Sequence, residues 1–215
     1  MFVLNKTNSI ANHFLAEIRD KNIQLDSMRF RKNLERLGSL LAYELSKSLS
    51  YRTETVHTPL GSADIQLISS QPLLIPIMRA GIPFYQGVLN YFDHADSGFI
   101  GAYRGKSDDN NDFEIQLDYV ATPSLEGRRL ILIDPMLATG KSILKTLRAL
   151  RQNGEPDHVD IMCAIASPEG IAYLREHIDL KFDLWVAAVD EELNNKAYIV
   201  PGLGDAGDLA FGQKL

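Results

Sequence analysis

The chain of 215 residues has little cysteine and tryptophan, one of each, and no long apolar run. Because Cys163 stands alone, an intramolecular disulfide and a multi-cysteine zinc or iron–sulfur site are excluded. The five histidines are scattered and show none of the short spacings of metal-binding motifs. The apolar run at 130–133 stops at Asp134, far short of the roughly 20 residues of a membrane-spanning helix. The N-terminus also lacks the pattern of a secretory signal, so we expect a cytoplasmic protein.

Charge and composition limit the class further. Lysine and arginine number 22 against 28 aspartates and glutamates, a formal net charge of −6, which disfavours a protein that wraps nucleic acid. Small anionic ligands need only a local positive site and remain open. Hydrophobic residues make up 45%, enough for a sizeable core. With no repeat, linker or composition break, residues 1–215 are predicted to form a single domain.

The apolar pattern predicts an α/β fold. Two amphipathic helices open the chain, the second from about Ser27, with Phe30, Leu34, Leu37 and Leu41 on a stripe that is either core or a subunit contact. Strands are predicted at 73–77, 130–133, 159–166 and 182–189, and helices between them at 82–91, 142–151 and 169–177. This alternation indicates a parallel sheet with helices on both faces. Residues 113–120 alternate again and indicate an inserted hairpin, with the polar segment 105–112 as a mobile loop at its tip.

The clearest chemical signal follows the strand at 130–133. Asp134 ends the strand, a turn of small residues follows, and a helix begins near Ser142. The unpaired N–H groups and the dipole of such a helix start favour a phosphate, while Asp134 can accept hydrogen bonds from sugar hydroxyls. The alternative is that Thr139 or Ser142 merely caps the helix. A Walker A loop is disfavoured, because Pro135 stands where that motif requires glycine.

Two further segments carry weaker signals. A hydrophobic strand delivers Arg79 to its end, where its forked donors can hold a diphosphate or simply pair with a surface carboxylate. Residues 198–208 contain three glycines and a proline. Such a loop can present backbone groups to a flat polar ring, or it can be a structural turn without a ligand. Cys163 and Trp185 lie in apolar strand patterns and are interpreted as core residues.

In chain order these segments are the strand end at Arg79, the turn at 134–142 and the loop at 198–208, with Tyr103-Arg104 between the first two. Together they resemble the uracil phosphoribosyltransferases. The C-terminal loop narrows the resemblance from phosphoribosyltransferases in general to the uracil branch, and the similarity runs from about residue 25 to the end. It implies a type I phosphoribosyltransferase fold, a Rossmann-like parallel sheet with N-terminal helices and an inserted β-hairpin. It also implies a pyrimidine salvage reaction in which uracil and phosphoribosyl diphosphate (PRPP) give UMP and diphosphate.

The resemblance also implies roles for individual residues. The implied catalytic residues are Arg79, Arg104, Asp134 and Asp205. PRPP would be held by Arg79, Arg104, Asp205 and the run Asp134, Pro135, Met136, Leu137, Ala138, Thr139, Gly140, Lys141 and Ser142. Uracil would be bound by Ile199, Gly204, Asp205 and Ala206, chiefly through main-chain groups. The implied cofactor is Mg²⁺, carried by the diphosphate near Asp205 rather than by a dedicated set of ligands.

The chain departs from the family pattern at a few positions. Lys141 replaces a second glycine, Gln86 replaces an acidic residue, and Leu209-Ala210 stands where a base is usual. Two alternatives therefore remain: a regulatory or inactive relative that binds nucleotide or RNA, and a member that uses another base. The resemblance implies a homodimer or larger homo-oligomer without membrane or nucleic-acid partners, and it leaves GTP activation, known in some relatives, open.

Overall fold

A computed structural model describes residues 1–107 and 113–213, with only the backbone described within 102–118. The helices are α1 (Ala11–Arg19), α2 (Ser27–Ser46), α3 (Gly81–Leu89), α4 (Lys141–Leu150), α5 (Pro168–His177) and α6 (Ala206–Phe211). The strands are β1 (Phe2–Val3), β2 (Tyr51–Thr58), β3 (Gly61–Ile68), β4 (Leu73–Met78), β5 (Asp96–Ser97), β6 (Phe99–Ser107), β7 (Phe113–Ala121), β8 (Arg129–Ile133), β9 (Met136–Leu137), β10 (His158–Ala166), β11 (Phe182–Val189), β12 (Glu192–Leu193) and β13 (Ile199–Val200).

The main sheet has the order β1-β11-β10-β8-β4-β6-β7, with β5 beside β4 and β9 beside β10. All of its pairings are parallel except that of β6 with β7. After β4 the chain places β6 on one side, then returns to place β8, β10 and β11 on the other. The strand order therefore reverses between β4 and β8, where ligands bind in open parallel sheets.

Helices cover both faces of this sheet because its strands carry apolar side chains on both. Leu74 and Ile131 pack with α1, α2, α3 and α6. Leu73 and Leu130 point to the other face and pack with α4 and α5. The predicted α/β architecture is thus confirmed. The stripe on α2 is core, since Phe30 and the leucines after it are buried in the first of these clusters.

The single cysteine lies inside the sheet. Cys163 is fully buried on β10, and burial, with a smaller contribution from the charge of Asp134, raises the pKa of its thiol well above the usual value. A thiol that resists ionisation is a poor nucleophile, which confirms the interpretation of Cys163 as a core residue. Trp185 packs at the edge of the core against Phe2, with ring centroids 5.6 Å apart.

The structure adds elements that the apolar pattern did not predict. Strands β2 and β3 form a separate antiparallel hairpin, joined by Pro59 and Leu60 and exposed along most of its length. Strands β12 and β13 form a second short pair next to the C-terminal loop. The predicted hairpin of β6 and β7 is confirmed. Residues 105–107 of the predicted mobile loop belong instead to strand β6, and residues 108–112 lie outside the described residues. None of the helices in the described ranges has the length and apolar content of a bilayer-spanning segment.

Candidate active site

The predicted site segments meet at the point where the strand order reverses. Arg79 follows β4 and Asp134 follows β8, and these strands are hydrogen-bonded neighbours with Pro76 opposite Ile133. The two side chains therefore leave the same edge of the sheet from adjacent strands. The C-terminal segment reaches the same place, because Arg79 Nη2 lies 3.4 Å from Asp208 Oδ1 of α6. Parallel pairing and this direct contact bring all three segments to one crevice.

Arg79 is held loosely there. Its Nη2 donates to the carbonyl of Gly212 at 3.2 Å and contacts Asp208, so the alternative of a carboxylate pair holds in part. Its Nε is buried and has no hydrogen-bond partner among the described residues. A buried guanidinium donor without an acceptor favours an anion in the crevice, because an unmet charged donor is costly. Arg104 lies on β6, but its side chain is outside the described part of the structure.

The segment from Asp134 to Ser142 is anchored on the sheet rather than forming a free turn. Asp134 Oδ1 accepts the N–H of Met136 at 3.1 Å, and β9 pairs with the end of β10. The carbonyl of Pro135 accepts two N–H groups from β10. Pro135 and Leu137 turn their side chains into the interior, so any ligand contact from these two residues runs through the backbone.

The helix start offers its backbone to the crevice. Gly140 is the N-cap of α4, with φ +77° and no side-chain cap. A Cβ at Gly140 would lie 3.1 Å from the carbonyl of Gly170 and would also force a left-handed conformation that side chains rarely adopt. The alternative that Thr139 or Ser142 caps the helix holds only in part: Thr139 Oγ1 accepts the N–H of Lys141 at a long 3.4 Å, whereas Ser142 is within the helix. The N–H groups at the start of α4, of which that of Lys141 is bound to Thr139, lie at the positive end of the helix dipole.

A second layer fixes residues 134–142, the predicted phosphate loop, from behind. Ser167, the N-cap of α5, donates its hydroxyl hydrogen to the carbonyl of Ala138 at 2.6 Å and accepts the N–H of Gly170 at 2.9 Å. Glu169 on the same turn accepts the N–H of Leu193 at 3.0 Å, and this bond lowers the pKa of the Glu169 carboxyl. The start of α5 therefore links the phosphate loop to the β12–β13 pair.

The C-terminal loop, residues 199–206, turns sharply at Gly202, which has φ +58°. Its Val200-Pro201 peptide bond is cis. A Cβ at Gly202 would come within 2.1 Å of the carbonyl of Ile199, so only glycine fits. Asp205 is the N-cap of α6, its Oδ1 accepting N–H groups of α6, and it is exposed. The side chains of Ile199 and Ala206 are buried, which leaves main-chain groups as the means of contact that these two residues have.

Candidate metal ligands lie at both edges of the sheet. Among the described residues, His158, Asp160 and Asp183 come close enough to share an ion. They lie at the amino ends of β10 and β11, opposite the crevice, and the Asp160 carboxylate is already held by Arg129. This cluster is therefore not the site of a metal bound to PRPP. In the crevice, the exposed Asp205 carboxylate is an oxygen donor of the type that Mg²⁺ prefers.

Two residues of the site region escaped the sequence prediction. Asp190 follows the apolar strand β11 as Asp134 follows β8, so the same strand-end signal could have found it. Arg19, its partner, ends α1 and carries no local signal, because the two residues are 171 positions apart in the chain. Both contact the C-terminal loop through Gly202.

A parallel sheet with an arginine and a carboxylate at its reversal point and a glycine-capped helix start is the arrangement of an α/β protein with a binding site for an anionic ligand. Comparison with known proteins makes this class specific. The family model described as uracil phosphoribosyltransferase matches residues 5–213. The chain belongs to the uracil phosphoribosyltransferase family, whose members are pentosyltransferases of pyrimidine salvage.

Individual relatives agree with this assignment. The chain is 44% identical to a uracil phosphoribosyltransferase of Porphyromonas gingivalis, over 99% of this chain and 98% of that one. It is 38% identical to the uracil phosphoribosyltransferase of Pyrococcus furiosus, over 93% of this chain and 84% of that one. A solved structure from Aquifex aeolicus superposes with a TM-score of 0.85 at 32% identity, covering 96% of each chain.

Proposed function

We propose that the crevice between β4 and β8 binds PRPP and uracil and transfers the phosphoribosyl group to the base, giving UMP and diphosphate. One observation carries this proposal: Arg79, next to the phosphate loop, also contacts α6, the helix that follows the C-terminal loop. A diphosphate on Arg79 and a base on the loop would therefore lie side by side. Holding the two reactants in line supplies most of what this displacement requires.

The roles of the residues follow from their positions. The start of α4 and the hydroxyls of Thr139 and Ser142 would bind the 5′-phosphate, and Asp134 would accept hydrogen bonds from the ribose hydroxyls. Arg79 and Arg104 would bind the diphosphate and stabilise the negative charge that develops on it as the bond to the ribose C1 breaks. Lys141, at the first position of α4, adds a positive charge beside the phosphate.

Two further groups complete the site. Main-chain donors of the loop, at Ile199, Gly204, Asp205 and Ala206, would hold the carbonyls of uracil while its ring nitrogen bonds to the ribose C1 and the proton of that nitrogen leaves with the diphosphate. A base with a mismatched pattern of donors and acceptors would leave buried polar groups unpaired, so these contacts would also select uracil. Mg²⁺ on the diphosphate, with Asp205 nearest, would neutralise leaving-group charge when bound.

Diphosphate release tests this function directly. Purified protein with PRPP and Mg²⁺ should release diphosphate with uracil, giving UMP, and should not do so with cytosine, hypoxanthine or no base. Release with another base would retain the transfer reaction and reject the assignment of the loop to uracil. Binding of PRPP without release for any base would favour a regulatory or inactive relative. The same assay with and without GTP tests activation.

We also propose that the chain self-associates through the β2–β3 hairpin. Pairing places Val56, Ala63, Ile65 and Leu67 on one face of the hairpin, and all four are exposed. The other face carries polar pairs such as Thr53 with Gln66. The four apolar side chains share their face with the Arg52–Glu54 ion pair. Because an isolated two-stranded hairpin is marginally stable in water, these exposed apolar side chains need a cover, and a second copy matches the homo-oligomer implied by the resemblance.

Light scattering tests the association. The mass of the wild-type protein in solution should be at least twice the 24.0 kDa of one chain. Ile65→Glu should lower this mass because a charge would be buried in the interface. Gln66→Glu, on the polar face, is the matched control and should leave the mass unchanged. A wild-type monomer, or an Ile65→Glu variant of unchanged mass, would contradict the proposal.

A further inference from the structure

We propose that Arg19 and Asp190 act together as a clamp that positions the C-terminal loop for the base, so that the N-terminal helix α1 sets the affinity for uracil. The clamp is this pair of residues, which bind the backbone of Gly202 in the loop. The inference rests on the proposed function for the role of the loop. The contacts of Arg19 and Asp190 with the loop do not depend on that function.

The clamp is built around one glycine. Arg19 donates two hydrogen bonds to the Asp190 carboxylate, from Nη1 to Oδ2 at 2.8 Å and from Nη2 to Oδ1 at 2.5 Å. The same Oδ2 accepts the N–H of Gly202 at 2.8 Å, and Arg19 Nη1 also donates to the carbonyl of Gly202 at 3.1 Å. Both backbone groups of Gly202 are thus bound by the pair, which fixes the orientation of the peptide units on either side of this residue.

The residues around the clamp support the same loop. With its amide nitrogen facing the two carbonyls, Gln24 donates to Leu203 O and to Ile18 O, both at 2.9 Å. Ile199, Leu203 and Ala206 pack into the cluster formed with α1 and α2. The side chains of Ile199, Leu203 and Ala206 are buried, so they hold the loop from its buried side. A loop that recognises a ring through main-chain groups needs such fixing, since a small rotation misdirects several hydrogen bonds at once.

A second ion pair of the same kind shows what such a pair does without contact to the loop. Arg129 binds Asp160 through Nε at 2.6 Å and Nη2 at 3.0 Å. The side chains of Arg19 and Asp190 are 24% and 4% exposed, and those of Arg129 and Asp160 are 23% and 0% exposed. The Arg129–Asp160 pair lies at the amino edge of the sheet, opposite the crevice. The two pairs therefore match in chemistry and burial and differ in contact with the loop.

This match supplies the control for a kinetic test. In Arg19→Lys and Asp190→Asn, KM for uracil should rise about tenfold while KM for PRPP stays within about twofold, because the loop is displaced and the phosphate loop is not. Arg129→Lys and Asp160→Asn should lower the melting temperature to a similar extent and leave both KM values unchanged. An unchanged KM for uracil in the clamp variants, or an equal rise in the controls, would overturn the proposal.

Hydrogen exchange gives a readout that does not need turnover. The Gly202 amide should be protected in the wild type and in the Arg129 and Asp160 variants, and should exchange at least about tenfold faster in Arg19→Lys and Asp190→Asn. Equal protection in all variants would reject the clamp. If the wild type shows no uracil-dependent release of diphosphate, the proposed function fails and exchange at Gly202 still decides whether the clamp exists. Arg19→Lys keeps the positive charge and serves if Asp190→Asn does not fold.

Discussion

Replacing Arg79 by alanine is expected to lower kcat about 100- to 1,000-fold, the cost of removing one charged donor from a preorganised transition-state site. Arg79 is the residue that the phosphate side and the base side of the crevice share. Its buried Nε lacks a partner among the described residues, so the side chain can donate a hydrogen bond to a bound anion. The loss should fall on turnover as well as on PRPP affinity, because charge builds up on the diphosphate as it leaves.

Stability should change little in the same variant. The contacts of Arg79 with Asp208 and Gly212 are long, at 3.4 and 3.2 Å, and such partly exposed contacts contribute about 1 kcal/mol or less to the free energy of unfolding. Arg79→Lys keeps the positive charge and loses the paired N–H donors of the guanidinium group, so its activity should lie between those of wild type and Arg79→Ala. Steady-state kinetics and thermal unfolding check these expectations together. A near-normal kcat in Arg79→Ala would remove Arg79 from the diphosphate site.

The sequence predicts the central fold well because its signals there are local. Apolar runs such as 182–189 coincide with a strand, β11, and the long helix from Ser27 begins where Asp26 caps it with bonds to the N–H groups of Met28 and Arg29. Burial on both faces of a parallel sheet produces continuous apolar strands, which are readily separated from helical stripes.

Prediction fails where pairing is distant or weakly encoded. Met136 and Leu137 appear as part of a turn in the sequence, yet they pair with Ile165 and Ala166 on β10. The β2–β3 hairpin joins its strands through Pro59 and Leu60, without the glycine-rich pair that marks tight hairpins most clearly.

The candidate site divides in the same way. Arg79 and Asp134 can be predicted to lie together because each follows an apolar strand, and parallel strands bring their carboxyl ends to one edge. The clamp is missed because Arg19 and Asp190 meet only after α1 packs beside the end of β11. Ser167 is likewise hidden, since its contact with Ala138 links two loops 29 residues apart. Chemistry that depends on one segment can be predicted from the sequence, whereas the support behind it requires the fold.

Asp134 gives the other large expected effect, and two substitutions separate its charge from its structural bond. Asp134→Asn retains an oxygen that can accept the N–H of Met136, now at 3.1 Å, so the turn should persist. It loses the negative charge that makes a carboxylate a strong acceptor for ribose hydroxyls. Hydrogen bonds to charged groups are worth about 1.5–3 kcal/mol, so kcat/KM for PRPP should fall about 10- to 150-fold.

Asp134→Ala removes the charge and the acceptor of the turn together. Activity should fall further than in Asp134→Asn, and the melting temperature should drop by a few degrees, as expected for a loss of about 1 kcal/mol. Asp179→Asn, which alters an exposed carboxylate paired with Arg151 outside the crevice, is the control and should leave kcat/KM unchanged. If Asp134→Asn has wild-type kinetics while Asp134→Ala is impaired, Asp134 shapes the turn and does not bind the ribose. If instead both variants lose kcat/KM equally and severely while the melting temperature of Asp134→Asn is unchanged, the negative charge of Asp134 itself binds the ligand.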